Sequence, residues 1–250
     1  MFNNALDLSG EDLPVKRDSG KTRKGEQTRT RILETALRLF REQGYEKTTM
    51  RAIAAEGGVS LGSAYYYFES KEHLVQAFYL QTHLEHLAAC QGILHECEDL
   101  DGRLLGVLRA KIETAMPYHR FSAILFRTAA DPRSPLSPFS QESAPVREKA
   151  TVLFREVVEG ASLRVGDDLR RQLPQLLWLY QMGVILFWIH DRSPDCSRTH
   201  QLIERSVEIV CRLIRLANFP LFRPLIKSTL DLLAELREAS PLVPEGGRNV

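Results

Sequence analysis

Residues 48–71 read TTMRAIAAEGGVSLGSAYYYFESK, a spacing that predicts a helix, a tight turn and a second short helix. Thr48 or Thr49 can cap the first helix with a side-chain oxygen, after which Met50, Ile53 and Ala54 fall on one face. Gly57 and Gly58 end it, because glycine reaches positive φ without a Cβ clash, and Val59 can then drop between the two helices. Ser60 caps the second helix, Leu61 to Phe68. In it Ala64 and Phe68 face inward one turn apart, while Ser63, Tyr65, Tyr66 and Tyr67 point elsewhere.

Two short helices joined by a glycine turn have helix-turn-helix geometry, in which the second helix fits the major groove of DNA. Periodicity alone leaves a second reading open, a small helical domain whose tyrosines only pack. From Arg29 to about Phe78 the chain resembles the DNA-binding domain of the tetracycline-repressor (TetR) family of bacterial transcription regulators. The resemblance is carried, in order, by RILETALRLFREQGYEKTT, by MRAIAAEGGVS, by the Tyr65-x-x-Phe68 pair and by Ser70-Lys71 opening the next helix. The rest of the chain has no comparable motif.

Strand-like stretches are scarce and Leu and Ala dominate the apolar positions, so the fold class is expected to be all-α. A chain of 250 residues, 44% hydrophobic and 26% charged, can bury one large core or two modest ones. Its net charge is +1, but residues 16–51 hold eleven basic and five acidic side chains, a surplus of six that leaves the remainder at −5. That asymmetry fits one end on a polyanion and the other in solvent. Cys90, Cys97, Cys196 and Cys211 have no CxxC spacing and no secretory signal precedes them, so free thiols in a reducing bacterial cytoplasm are expected. The most hydrophobic run, Leu176 to Ile189, is interrupted by Gln181 and is shorter than the roughly twenty residues a bilayer needs, which reads as a buried helix and no membrane span.

The expected organisation is a disordered basic arm over 1–24, a three-helix DNA-binding domain over 25–70, a helical effector and dimerisation domain over 71–240 and a disordered tail over 241–250, about ten helices in all. The arm can touch phosphates or stay solvated. The first helix runs from about Gly25 to Gln43, stopped by Gly44, and a lever helix runs from Lys71 to about Cys97. Further helices are expected at Leu100–Met116, Arg120–Ala129, Ala144–Leu163, Asp167–His190, Thr199–Asn218 and Leu221–Glu238, with a mobile Pro- and Ser-rich loop from Asp131 to Ser143.

Thr49, Tyr66, Tyr67 and Lys71 are the expected phosphate contacts, Thr49 and Lys71 because they stand at helix N-termini. The resemblance assigns base contacts to Arg51, Leu61, Gly62, Ser63 and Tyr65. The second helix offers no Arg, Lys, Asn or Gln, so shallow direct readout is expected, with Arg51 alone able to grip guanine with two bonds. The resemblance further implies a homodimer on a palindromic double-stranded operator, an interface including Leu186, Ile189, Ile203, Val207, Val210 and Ile214, and a small-molecule effector. Pocket candidates are Cys90, Met116, Phe121, Phe126, Trp178, Met182 and Phe187.

His83, His86, Cys90 and Cys97 share a face of the lever helix, which raises a metal or thiol sensor; only the first three lie close enough along the axis to share an ion. A body that answers to a protein partner is a further alternative. No Gly-x-Ser-x-Gly elbow, His-Glu-x-x-His, Glu-x-x-His or phosphate-binding Gly-rich loop is present, so neither an enzyme nor a bound cofactor or metal is expected.

Overall fold

The computed structural model describes residues 23–217. Among them lie nine α-helices and no strand: α1 Arg23–Gln43, α2 Met50–Glu56, α3 Leu61–Tyr67, α4 Lys71–Glu96, α5 Leu100–Ala115, α6 His119–Ala129, α7 Ala144–Glu159, α8 Asp167–His190 and α9 Ser197–Leu216. Short 3-10 turns, Met116–Tyr118 and Pro194–Cys196, precede α6 and α9. The chain divides into two compact units between Leu74 and Val75. The helix expected at Leu221–Glu238 and the tail over 241–250 lie outside the described residues, as does the arm up to residue 22.

In the first unit α1 presents Ile32, Leu33, Ala36, Leu37, Leu39 and Phe40 to the core at helical spacing, and all are buried. Each large side chain removed from water in this way contributes about 1.5–3 kcal/mol. Arg23 and Lys24, expected in a disordered arm, belong to α1. Glu26 sits in its first turn, where a carboxylate complements the helix dipole, and Thr28 Oγ1 donates to Lys24 O at 2.9 Å. Gly44, at φ +89°, ends the helix in the left-handed conformation that favours glycine.

In the second unit α7 packs along α8, and α5 packs on α9. Leu104, Val107, Leu108, Ile112, Phe154 and Val157 meet Trp178, Trp188 and Ile203 in one apolar core. Asp99 caps α5 by accepting from Gly102 N at 2.8 Å. Asp191 accepts from the N–H and hydroxyl of both Ser193 and Thr199; burial pushes its carboxyl up, yet these bonds hold it well below the usual carboxylate range. α7 stops at Glu159, before Gly160, and does not reach Leu163 as expected.

The stretch 131–143 is not a mobile loop but a run of turns, closed by Ser134 N to Asp131 O, Ser137 N to Ser134 O and Ser140 N to Ser137 O. Leu136, Ser137 and Ser143 are buried. Side chains outside the stretch hold it: Gln76 Nε2 donates to Pro135 O at 2.9 Å and Ser143 Oγ at 3.0 Å, and Arg147 donates to Pro138 O and Ser140 O.

Three residues expected at an interface between copies are core instead. Ile203, Val207 and Ile214 are buried inside the subunit, because this stripe of α9 is the one that meets α5 and α8. Val210 and Ile189 are half-buried and Leu186 is exposed. By length and composition alone α8 could cross a bilayer; here its Leu173, Leu177, Trp178, Val184 and Trp188 face protein.

Candidate nucleic-acid interface

α2 and α3 are built by their ends. Thr49 Oγ1 accepts from Ala52 N at 3.1 Å and Ser60 Oγ accepts from Ser63 N at 3.0 Å, so each helix starts on a hydroxyl that satisfies a free backbone donor. Between them Gly57 N–H closes on Ile53 O at 2.8 Å, Gly58 takes φ +61°, and Val59 N–H returns to Ala54 O. A β-carbon on Gly57 would stand 3.0 Å from Ile53 O. The turn therefore uses Gly57 for space and Gly58 for conformation.

α3 is anchored by one buried side, Ala64 and the following Phe68, over which the Arg29 guanidinium sits at 4.9 Å from the ring centroid. Its other side is turned out: Leu61 is 37%, Tyr65 48% and Tyr66 58% exposed. Gly62 has no heavy atom within 4 Å of where a β-carbon would stand, which leaves backbone open to a close approach. Thr49, Met50, Arg51, Leu61 and Tyr65 line one cleft of about 350 Å³. Four of the residues singled out from sequence thus converge, with Met50 as its floor.

Two others are partly committed elsewhere. Lys71 Nζ donates to Tyr45 O at 2.9 Å and stands 4.4 Å over the Tyr45 ring, so the ammonium is a strut of this unit. Tyr67 is half-buried and meets Tyr66 edge-on at 5.1 Å. Thr49 keeps its hydroxyl hydrogen for an outside acceptor, because the cap uses only a lone pair. Sequence reasoning missed Tyr45, whose hydroxyl donates to Glu72 at 2.6 Å; its position beside Gly44 in the quoted landmark was the available signal.

In the body four of the seven pocket candidates, Cys90, Met116, Trp178 and Met182, belong to or pack on one apolar core, and Phe121, Phe126 and Phe187 lie outside it. Cys90, Phe121 and Trp178 are buried, Met116, Phe126 and Met182 are half-buried, and Phe187 is 41% exposed. Phe121 packs on Phe78, Phe126 on His190 and Trp178 on Phe139. On α4, His86 Nε2 meets Val107 O at 2.9 Å. Among the described residues no three His, Cys, Asp or Glu side chains could together hold a metal ion. Burial, seconded by Lys111, pulls His83 down to about 4 and His86 down to about 3, leaving both rings neutral.

Residues 32–78 match the pattern described as "Bacterial regulatory proteins, tetR family", and residues 103–236 match "Tetracyclin repressor-like, C-terminal domain". The HTH-type transcriptional regulator UidR of Escherichia coli K12 is 44% identical over 61 residues, which are 24% of this chain and 31% of UidR. The chain thus spans under a third of that relative's length. A TetR-family transcriptional regulator from Syntrophomonas wolfei superposes with a TM-score of 0.59 at 17% identity, over 74% of this chain and 95% of that one. Thermus thermophilus FadR, a TetR-family repressor in complex with lauroyl-CoA, superposes with a TM-score of 0.53 at 22% identity, over 72% and 92%. At these identities the two structures speak for the fold alone.

Proposed function

We propose, for a chain that belongs to the TetR family of bacterial regulatory proteins, that it is a dimeric, sequence-specific transcription regulator of the bacterial cytoplasm. It acts as a repressor released from a palindromic operator by a small hydrophobic effector, without a catalytic role. The observation that carries this reading is the cleft formed by Thr49, Arg51, Leu61 and Tyr65 beside the exposed tyrosines of α3. It supplies a cation, hydroxyls and apolar edges on a rod of one-helix width, the chemistry a major groove accepts.

Arg51 would take a guanine edge and Leu61 and Tyr65 thymine methyls, with Gly62 and Ser63 lying against the bases. Thr49, Tyr66, Tyr67 and Lys71 would hold phosphates, and DNA shape would supply the remaining discrimination. The partner subunit would cover the exposed apolar faces of α8 and α9. Support for a small-molecule effector comes from FadR, whose ligand belongs to that protein. The reading is tested by sequencing the genomic fragments the purified protein retains and measuring their affinity by gel shift. A shared palindrome is expected; equal retention of every duplex, abolished by heparin, refutes it.

A further inference from the structure

Ile32, Leu33, Ala36 and Phe40 of α1 make the buried stripe of the first unit, and Arg29 stands on the same face one turn nearer the N-terminus, at the rim of that core. Its guanidinium lies over the ring of Phe68, 4.9 Å from the centroid. Phe68 is buried and follows Tyr67, the last residue of α3, with its N–H closed on Ala64 O at 2.9 Å. A fixed ring thus sets where the charge stands.

Among the described side chains of the first unit three Arg or Lys residues are half-buried: Arg29, Arg38 and Lys71. Arg38 pairs with Glu42 and Glu56, and Lys71 donates to Tyr45 O. Arg29 has neither a hydrogen bond nor an ion pair among the described residues. Burial pulls its pKa below the ordinary guanidinium value without removing the charge. The ring contact contributes about 0.5–2 kcal/mol and satisfies none of the five N–H donors. Folded chains seldom desolvate a cation without an anion to meet it. The ring that seats Arg29 adjoins Tyr66, Tyr67 and Lys71, which are three of the four phosphate contacts in the reading above.

We propose that Arg29 is a further DNA contact, its guanidinium seated by Phe68 and donating to a backbone phosphate of the strand that passes the C-terminal end of α3. This rests on the DNA-binding reading above and adds to it a contact that carries no sequence information.

The full chain is titrated by fluorescence anisotropy with its best-retained genomic fragment and with a duplex of mixed sequence, between about 50 and 200 mM KCl. Arg29→Met keeps an unbranched apolar stem against Phe68 and removes the charge. It is expected to keep the urea midpoint, to weaken both duplexes by about tenfold and to reduce the salt slope by about one. Arg29→Lys should keep the slope with a smaller loss of affinity, because an ammonium is a point charge that cannot grip a phosphate with two bonds. With Lys71→Met added to Arg29→Met the slope should fall by about two, each residue releasing its own counter-ion. An unchanged slope in Arg29→Met, or one that Arg29→Lys lowers as much, overturns the contact. So does a loss of binding that tracks unfolding in both variants, which would make Arg29 scaffold alone. A reduced slope with no duplex preferred keeps the Arg29 contact and refutes the sequence-specific reading; a preferred palindrome with an unchanged Arg29→Met slope does the reverse.

Discussion

Gly160 makes room for Arg103: a β-carbon at position 160 would stand 2.2 Å from the guanidinium Nη2 and 2.5 Å from Cζ. That space lets a buried cation collect four backbone carbonyls, Leu94 O at 2.6 Å, Cys97 O and Glu156 O at 2.8 Å, and Val157 O at 3.1 Å. These lie at the C-terminal ends of α4 and α7, where the dipoles are negative and where all but Glu156 O, which also accepts from Gly160 N, lack a helical partner. One side chain therefore closes two helices. Arg103→Met is expected to cost about 2–4 kcal/mol in urea unfolding, since the orphaned carbonyls remain buried.

Gly160→Ala should cost about 1–3 kcal/mol by crowding, and that cost should largely vanish in the Arg103→Met background, where the clash has no partner. Gly160 has an ordinary helical φ of −77°, so conformation gives no reason for the loss. Additive losses in the double variant would mean that the two residues do not act through each other.

Arg51 and Lys71 separate specificity from scaffold. Arg51 is exposed at the cleft and makes no side-chain hydrogen bond or ion pair among the described residues, so Arg51→Ala should leave stability unchanged and cost about 1–3 kcal/mol at one base pair. Lys71 is tied to Tyr45 by a hydrogen bond and a ring contact, so Lys71→Met should lower the unfolding free energy by about 1 kcal/mol. It should also weaken operator and random DNA alike and reduce the salt slope by about one. An unchanged slope would make Lys71 a strut alone.

Acid should destabilise the body through its two buried histidines. In the unfolded chain both protonate below their ordinary value of 6.5, whereas in the folded protein burial, with Lys111 and for His83 also Lys149, keeps them neutral down to about 4 and about 3. Across that window the unfolded state binds more protons, so stability falls as pH falls, by up to about 1.4 kcal/mol per pH unit for each ring. Urea midpoints from neutral pH to about pH 5 should show this decline, with a shallower slope in His83→Phe. A slope that His83→Phe does not change would mean the ring is protonated in the folded chain.

The starts of α2 and α3 were legible because their cause is local. Thr49, Ser60 and Gly58 act on backbone two or three residues away, and Asp167–His190 is bounded by charge and polarity at both ends. The stretch 131–143 was not legible. Its Pro and Ser content describes chain that cannot form a helix, whereas its order comes from Gln76, Tyr79 and Arg147, two of them more than fifty residues away. Lys71 was expected at a phosphate, and its internal role was not legible: its partner is the carbonyl of Tyr45, and a carbonyl leaves no mark in a sequence.

α9 shows the limit most sharply, because two of its faces are apolar. Ile203, Val207 and Ile214 make one stripe; Ile209, Leu213 and Leu216 make another, 57%, 60% and 43% exposed. Periodicity finds both without ranking them, and only packing against α5 and α8 decides that the first is interior. Leu179, Leu186 and Phe187 of α8 are exposed as well. Large apolar side chains left in water on two helices point to an interaction face, and a stable pair usually buries about 800 Å² per partner. Leu213→Glu is therefore expected to yield a folded monomer by sedimentation, with weakened operator binding. Ile203→Glu should unfold the second unit, because an unpaired carboxylate in its core costs several kcal/mol. A Leu213→Glu protein that still sediments as a dimer would move the interface off this face.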